Sequence, residues 1–236
     1  MKHVAFIMDG NRRWAYKTRD EFAASTSPAA PDIYNNSFQA LLIVIDTSVL
    51  WSIPYLSVYA LSIENLQRTD DSLPLIYSMI KYKARELIEN LNHRGVRMRF
   101  VGDRALFEAS VLPAITEIET STEHNTALVL NFLFCYGAQQ EIVHAAKTLA
   151  LRVASGEITA ESINACAFEK ELWLSDCPPI DVLVRTGGFT RLSNFLYYQA
   201  AYAEFVFLDI LWPELTEEML QAIFSRVSKT ERKFGK

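Results

Sequence analysis

Phe6-Ile7-Met8-Asp9-Gly10-Asn11-Arg12-Arg13-Trp14 is the stretch whose reading decides this chain. An apolar run from Val4 to Met8 stops at an acid, a glycine, an asparagine and two arginines. A buried strand that delivers polar groups to the carboxyl edge of a sheet has this form, and open α/β folds place their ligands at that edge. Gly10 lets the backbone come close to a ligand, and loop amides beside a following helix start can cradle phosphate. Arg12 and Arg13 bring planar donors that suit phosphate oxygens. Asp9 cannot favour phosphate directly, so its role in such a site is to hold a Mg²⁺ that does. A plain strand followed by a polar turn has the same appearance, because short motifs generate false positives.

A second cluster far along the chain changes the balance. Strand Ile180–Val184 runs into Arg185-Thr186-Gly187-Gly188-Phe189-Thr190-Arg191-Leu192-Ser193-Asn194-Phe195. Arg185 and Arg191 could grip a diphosphate from two sides while Ser193 donates a hydroxyl hydrogen bond. Either arginine alone is an ordinary ion-pair residue. Two such clusters at strand ends point to two phosphorylated substrates meeting.

The 236 residues, half of them hydrophobic, suffice for one sizeable core. A net charge of −5 gives no global basic field, and no nucleic-acid partner is expected. A polyphosphate substrate needs only a local arginine cluster, since charge effects are screened beyond about 8 Å at physiological salt. Cys135, Cys166 and Cys177 have no metal-ligand spacing, and their scatter fits a reduced cytoplasm. The chain opens without a signal-peptide pattern, and the apolar run Ala40–Ile45 is too short to cross a bilayer. The expectation is a cytoplasmic protein with at most peripheral membrane contact.

Elements follow from periodicity. Lys17–Asp32, with two prolines and two serines, reads as a loop, either a closing flap or a surface insertion. Phe38–Trp51 reads as a buried helix, Tyr55–Leu61 as a strand with Ser62–Arg68 as its polar edge, and Leu75–Leu91 as an amphipathic helix. Strand Val96–Val101, helix Leu106–Glu119, strand Ala127–Cys135 and helix Gln139–Val153 come next, then a helix capped by Thr159. Strands alternating with helices predict one α/β domain over residues 1–236, with a mostly parallel sheet flanked by helices.

These motifs resemble the cis-prenyltransferases, the undecaprenyl diphosphate synthase family. His3–Ala15 resembles the family's N-terminal signature. Ser62…Glu64-Asn65…Arg68, Arg185–Gly188, Arg191–Phe195, Gln199–Glu204, Leu211–Pro213 and Glu231–Gly235 are similar to its later motifs, in order. The resemblance implies a homodimer whose subunits each have a hydrophobic tunnel. It also implies a Mg²⁺-dependent reaction joining an allylic diphosphate to a five-carbon diphosphate such as isopentenyl diphosphate, with release of pyrophosphate. Asp9 would be the essential acid and Mg²⁺ ligand, and Glu204 a second metal-linked carboxylate. Gly10, Asn11, Arg12, Arg13 and Arg68 would hold the allylic diphosphate, with Trp14 and Glu64 in the same substrate-binding motifs. Arg185, Arg191 and Ser193 would bind the second diphosphate. Ser62 and Asn65 would lie beside the reacting carbons. The chemistry agrees: charge must be neutralised on departing pyrophosphate, and a developing allylic cation needs a dry apolar cavity.

The sequence also departs from the family. The usual Gly-His-x-x-Gly falls on Ile33-Tyr34-Asn35-Asn36-Ser37, so the histidine is absent, and an upstream arginine falls on Ala30. An acid is usual where Phe189 stands. After Asn131 the small residues of the family become Phe132-Leu133-Phe134-Cys135, which either shorten the tunnel or merely repack a strand. The expectation is a short-chain or atypical synthase, branched coupling of two dimethylallyl diphosphates being one outcome. A non-catalytic partner subunit of a heteromeric enzyme is the alternative. Retention of Asp9, Asn65, Arg185, Arg191 and Glu204 argues against it.

Overall fold

Strand β1 (His3–Ile7) is the middle of the molecule, and all of its residues are buried. Side chains alternate along a strand, so Val4 and Phe6 enter one core while Ala5 and Ile7 enter another on the opposite face. A computed structural model describes residues 1–23, 33–67 and 72–230. Arg68, Ala30 and the closing residues 231–235 lie outside these, as does the side chain of Tyr34.

The sheet adds β2 (Tyr55–Ser62), β3 (Val96–Val101), β4 (Leu128–Tyr136), β5 (Val182–Arg185) and β6 (Glu204–Phe207) in the order β3-β4-β2-β1-β5-β6. Every pairing is parallel, as the alternation of elements predicts. From β1 the chain adds β2, goes out to the edge strand β3, returns to place β4 between β3 and β2, then crosses to β5 on the other side. Strand order therefore reverses between β1 and β5, and ligand crevices open beyond carboxyl ends at such a point. Ile7 is level with Arg185, so Asp9 and Arg185 are delivered to that crevice together.

Helices α1 (Asn11–Ala23), α2 (Ile33–Leu50), α3 (Ser72–His93), α4 (Leu112–Thr122), α5 (Ala138–Ala154), α6 (Ala165–Glu169) and α7 (Glu217–Ser228) cover the two faces. In α2, the expected buried helix, even Thr47 and Ser48 are buried. Their hydroxyls donate to the carbonyls of Ile43 and Val44 at 2.8 and 2.7 Å, which satisfies them without water.

Four expectations change. The loop read over Lys17–Asp32 is helical as far as Ala23, and 24–32 lies outside the described residues. The helix read over Leu106–Glu119 begins only at Leu112. Asp103 and Glu108 accept from Ala105 and Ser110 amides and cap two short 3-10 turns before it, and Pro113, tolerated only in a first helical turn, marks the start. Thr159 does precede a helical turn, the 3-10 turn Ala160–Ser162, but its hydroxyl makes no cap bond there; Asn164 accepts from the Ala167 amide at 3.0 Å and starts the short α6. Strand β6 and helix α7 were not anticipated, because β6 is a four-residue edge with only Val206 buried.

A polar row crosses the sheet beneath the apolar strands. The His3 ring is buried, donates through Nδ1 to the Pro178 carbonyl at 2.8 Å and accepts from Ser57 Oγ at 2.7 Å. Asn131 Nδ2 donates to Ser57 Oγ, and Arg99 Nε donates to Asn131 Oδ1. Burial drives the His3 pKa from 6.5 down to about 4, so the ring is neutral in the fold. The unfolded chain takes up a proton near 6.5 and the folded chain resists until about 4. The His3 contribution to stability is therefore full above 6.5 and is lost as pH falls toward 4, up to about 3 kcal/mol. Urea unfolding of wild type and His3→Gln at pH 4.5 and 7.5 checks this: the wild type should show the steeper acid loss. Equal pH slopes would contradict it.

Candidate active site

Beyond β1 the backbone of Asp9 is fastened from three sides. Its amide donates to the Ile7 carbonyl at 3.0 Å and to Thr186 Oγ1 at 3.1 Å, while Thr186 Oγ1 donates to its carbonyl at 2.7 Å. The Trp212 amide donates to the same carbonyl at 3.0 Å. Gly10 follows at φ 104°, and an added Cβ would stand 2.8 Å from Leu211 Cδ2. Only glycine fits that turn.

So held, the carboxylate of Asp9 meets two guanidiniums. Arg185 Nη2 donates to Oδ2 at 2.8 Å, and Arg13 Nη2 reaches Oδ1 at 3.4 Å. The Arg185 side chain is 4% exposed against 29% for Asp9. Arg185 Nη1 also donates to Ser193 Oγ at 2.8 Å and to the Arg191 carbonyl. The two clusters read from sequence thus form one arginine-rich rim. Gly187, at φ 89°, makes room for it, because a Cβ there would stand 2.5 Å from Arg13 Nη2 and 3.1 Å from Asp9 Cγ.

The loop carrying Ser193 is held in an uncommon shape. Ser193, Asn194 and Leu196 have φ of 52°, 64° and 47°, each costing about 1–3 kcal/mol unless the surroundings enforce it. Asn194 supplies the enforcement. Its Nδ2 donates to Glu64 Oε1 at 2.7 Å and Gln140 Oε1 at 3.0 Å, and its Oδ1 accepts from the Gln139 amide at 2.9 Å. Tyr59 stacks on Phe195 and sets its hydroxyl 3.2–3.4 Å from the carbonyls of Tyr136, Ser193 and Asn194. Burial holds the Tyr59 phenol well above its ordinary pKa, so it stays a donor.

The other expected residues divide. Ser62, at the end of β2, accepts from the Asn65 amide at 3.2 Å and starts the turn Glu64–Gln67 on the same rim. Glu64 is engaged with Asn194. Asn11 Nδ2 donates to the Met8 carbonyl at 3.0 Å, and its buried Oδ1 has no partner among the described residues. Arg12 is exposed and Trp14 half-buried on α1. Glu204 is the correction. It opens β6 level with Val182, whereas Arg185 is level with Phe207. A parallel strand rises about 3.3 Å per residue, so Glu204 sits at the amino edge and does not join Asp9 within this chain. The motif alone does not say which end of β6 faces the rim. Asp209 is the carboxylate on the rim side, with Oδ1 3.4 Å from where a Cβ on Gly188 would stand.

Thr186 and Asn194 were passed over as site residues, although both lie inside the quoted motifs. Replacing Thr186 with valine keeps its shape but leaves the Asp9 amide with only the Ile7 carbonyl and the Asp9 carbonyl with only the Trp212 amide. A loss of about 0.5–1.5 kcal/mol in urea unfolding is expected, and wild-type stability in Thr186→Val would show that the hydroxyl fastens nothing.

Two hollows open elsewhere in the fold. A cavity of about 70 Å³ lies between α2, α3 and the sheet, lined by Phe38, Leu41, Met79, Ile80, Met98 and Phe132 among others. Two of its lining rings pack on each other, Phe100 lying 5.2 Å from Phe132; Phe134 packs outside the lining, 5.1 Å from Phe107 and 6.2 Å from Tyr77. A larger open groove of about 940 Å³ runs between β3 and α5. It contains none of the rim residues, and its Arg99 and Arg104 are paired with Asp176 and Glu119. Converging charge and backbone strain mark the rim, not the larger volume.

Comparison with known proteins adds to this geometry. The family model "Putative undecaprenyl diphosphate synthase" matches residues 7–235. An undecaprenyl diphosphate synthase of Xanthomonas axonopodis, (2E,6E)-farnesyl-diphosphate specific, is 36% identical over 99% of this chain and 88% of its own. An isoprenyl transferase of Zymomonas mobilis is 33% identical over 99% and 91%. Among solved structures, a lavandulyl diphosphate synthase from Lavandula x intermedia in complex with dimethylallyl diphosphate aligns with a TM-score of 0.89 at 26% identity. That alignment covers 100% of this chain and 98% of the other. A probable undecaprenyl diphosphate synthase from Campylobacter jejuni aligns with a TM-score of 0.80 at 30% identity, over 100% and 99%.

Proposed function

The chain belongs to the undecaprenyl diphosphate synthase family of prenyltransferases, and from that premise we propose that it is a short-chain or atypical member whose two diphosphates meet at Asp9 and Arg185. It is an isoprenyl diphosphate synthase, condensing an allylic diphosphate with isopentenyl or a second five-carbon diphosphate and releasing pyrophosphate. The relatives are themselves an isoprenyl transferase and a diphosphate synthase, so the reading as a non-catalytic partner subunit is set aside.

The observation that carries the site assignment is the Asp9–Arg185 contact at 2.8 Å. The allylic diphosphate is assigned to Gly10–Arg13, at the start of α1. The second is assigned to Arg185, Arg191 and Ser193. Cationic N–H donors here favour the charge that builds on pyrophosphate as the carbon–oxygen bond breaks. Asn65 and Ser62 border the same rim, where a proton is lost from the coupled product. Glu64 supports them indirectly, through Asn194.

Mg²⁺ fits Asp9. That ion is commonly held by one or two carboxylates together with substrate phosphates. Asp9 is partly exposed, and its Oδ1 is held only at 3.4 Å by Arg13. Bound there, Mg²⁺ would neutralise charge on the leaving pyrophosphate.

Short products are supported by the cavity beside α2 and α3. An apolar cavity of about 150 Å³ takes a benzene, and about 70 Å³, half of that, is open here. Phe132 and Phe134 fill the face where the family has small residues. The backbone also follows the lavandulyl enzyme more closely than the Campylobacter one. A homodimer is supported by the edge strand β6, where Phe205 and Phe207 stand exposed 6.2 Å apart. Among the described residues no helix is long and apolar enough to cross a membrane, and the free cysteines fit a reducing cytoplasm.

The test is incubation of purified protein with Mg²⁺ and radiolabelled allylic and isopentenyl diphosphates. Products of two or three five-carbon units, released with pyrophosphate, are expected. A ladder of very long products would refute the short-chain assignment, and no transfer at all would refute the two-diphosphate site.

A further inference from the structure

Three guanidinium groups gather on one exposed ring. Arg191 Cζ lies 4.0 Å from the centroid of Phe189, Arg13 Cζ 5.0 Å and Arg185 Cζ 5.7 Å. Arg13 comes from α1, the other two from β5 and the loop after it, so a single side chain touches both arginine sets. We propose that Phe189 is a positioning residue, an uncharged partition between the two diphosphate subsites that holds these three guanidiniums in place. This rests on the assignment of the two subsites above.

Like charges brought this close repel one another, and Asp9 pairs with only two of the three. The face of an aromatic ring attracts cations without accepting their in-plane hydrogens. A guanidinium resting on a ring keeps its N–H fork for phosphate oxygens. Arg191 shows this most clearly: among the described residues its guanidinium has no ion pair or hydrogen bond, and the ring is what locates it. A carboxylate at the same point would occupy those donors and set a negative charge against both incoming diphosphates. Phe189 is 39% exposed, so changing it opens no core and leaves the fold intact.

Steady-state kinetics on Phe189→Leu and Phe189→Tyr test the assignment. Loss of the ring face should raise KM for both diphosphates about tenfold, with kcat changed by less than about threefold. Tyrosine, which keeps the ring, should restore wild-type KM. Calorimetric titration of inorganic pyrophosphate into metal-free protein gives the same comparison without turnover. Weaker binding in Phe189→Leu, and weaker still in Phe189→Glu, supports the partition even if the wild type transfers no prenyl group, an outcome that would sink only the functional assignment. Unchanged KM and pyrophosphate affinity in Phe189→Leu, a loss that tyrosine does not restore, or full affinity in Phe189→Glu would overturn it.

Discussion

Asp9→Asn should lower kcat by about a hundredfold to a thousandfold, while pyrophosphate binding to the metal-free protein holds or tightens. The two effects have opposite signs for one reason. Asparagine keeps the shape of the side chain and the backbone bonds to Thr186 and Trp212. What it removes is the negative charge paired with Arg13 and Arg185, so an anion meets less repulsion. The carboxylate proposed to carry Mg²⁺ is gone, however, and charge on the departing pyrophosphate is neutralised less well. Stability should also fall. Arg185 is almost wholly buried, and breaking a buried ion pair costs about 3–5 kcal/mol. The loss should stay at or below the lower end, because Asp9 is partly in water and Arg185 keeps Ser193 and the Arg191 carbonyl. Single-turnover rates, pyrophosphate calorimetry and urea unfolding on one preparation separate the three effects. An Asp9→Asn protein with wild-type kcat would exclude the carboxylate from the chemistry.

Phe132→Ala should lengthen the product by about one five-carbon unit. Phe132 lines the cavity between α2 and α3 and packs on Phe100 at 5.2 Å. Removing its ring joins that space to the cavity, and an apolar chain then finds room that the wild type denies it. A Phe-to-Ala change in a core costs about 3–5 kcal/mol, so Phe132→Leu is the gentler companion and should give an intermediate shift. Phe134 is a control of a different kind. It is fully buried and packs on Phe100, Phe107 and Tyr77, but it does not line the cavity. Phe134→Leu should therefore lower stability with little change in product. Chromatography of labelled products reads both results. Unchanged lengths in Phe132→Ala would mean that the growing chain lies elsewhere.

The fold was legible where hydrophobic pattern and length agreed. The strongly apolar β1, β2 and β4 could be little else, and the helical period of α3 and α5 placed them to within a few residues. What escaped was short or exposed, except α7, whose Thr216 cap and buried Leu220, Ile223, Phe224 and Val227 carry an ordinary amphipathic period. Strand β6 buries only Val206, so no alternation announces it, and it exists because β5 offers an unpaired edge. The turns before α4 depend on Asp103, Glu108 and Pro113 acting together, which periodicity does not weigh. At the site, residue types foretold the arginines and Asp9 because charge beside glycine at a strand end is a local signal. Phe189, Thr186 and Asn194 work through contacts across the fold, and these the chain does not display. Glu204 misled for the same reason: a motif carries residue order, not which edge of the sheet it reaches.

A crystal structure with Mg²⁺ and non-cleavable thiolo analogues of both substrates tests the account most directly. Two diphosphates should lie side by side, one on Asp9 and the loop Gly10–Arg13, the other between Arg185, Arg191 and Ser193, with the ring of Phe189 between them. A single diphosphate spanning both arginine sets, or a second one bound away from Arg185, would contradict it.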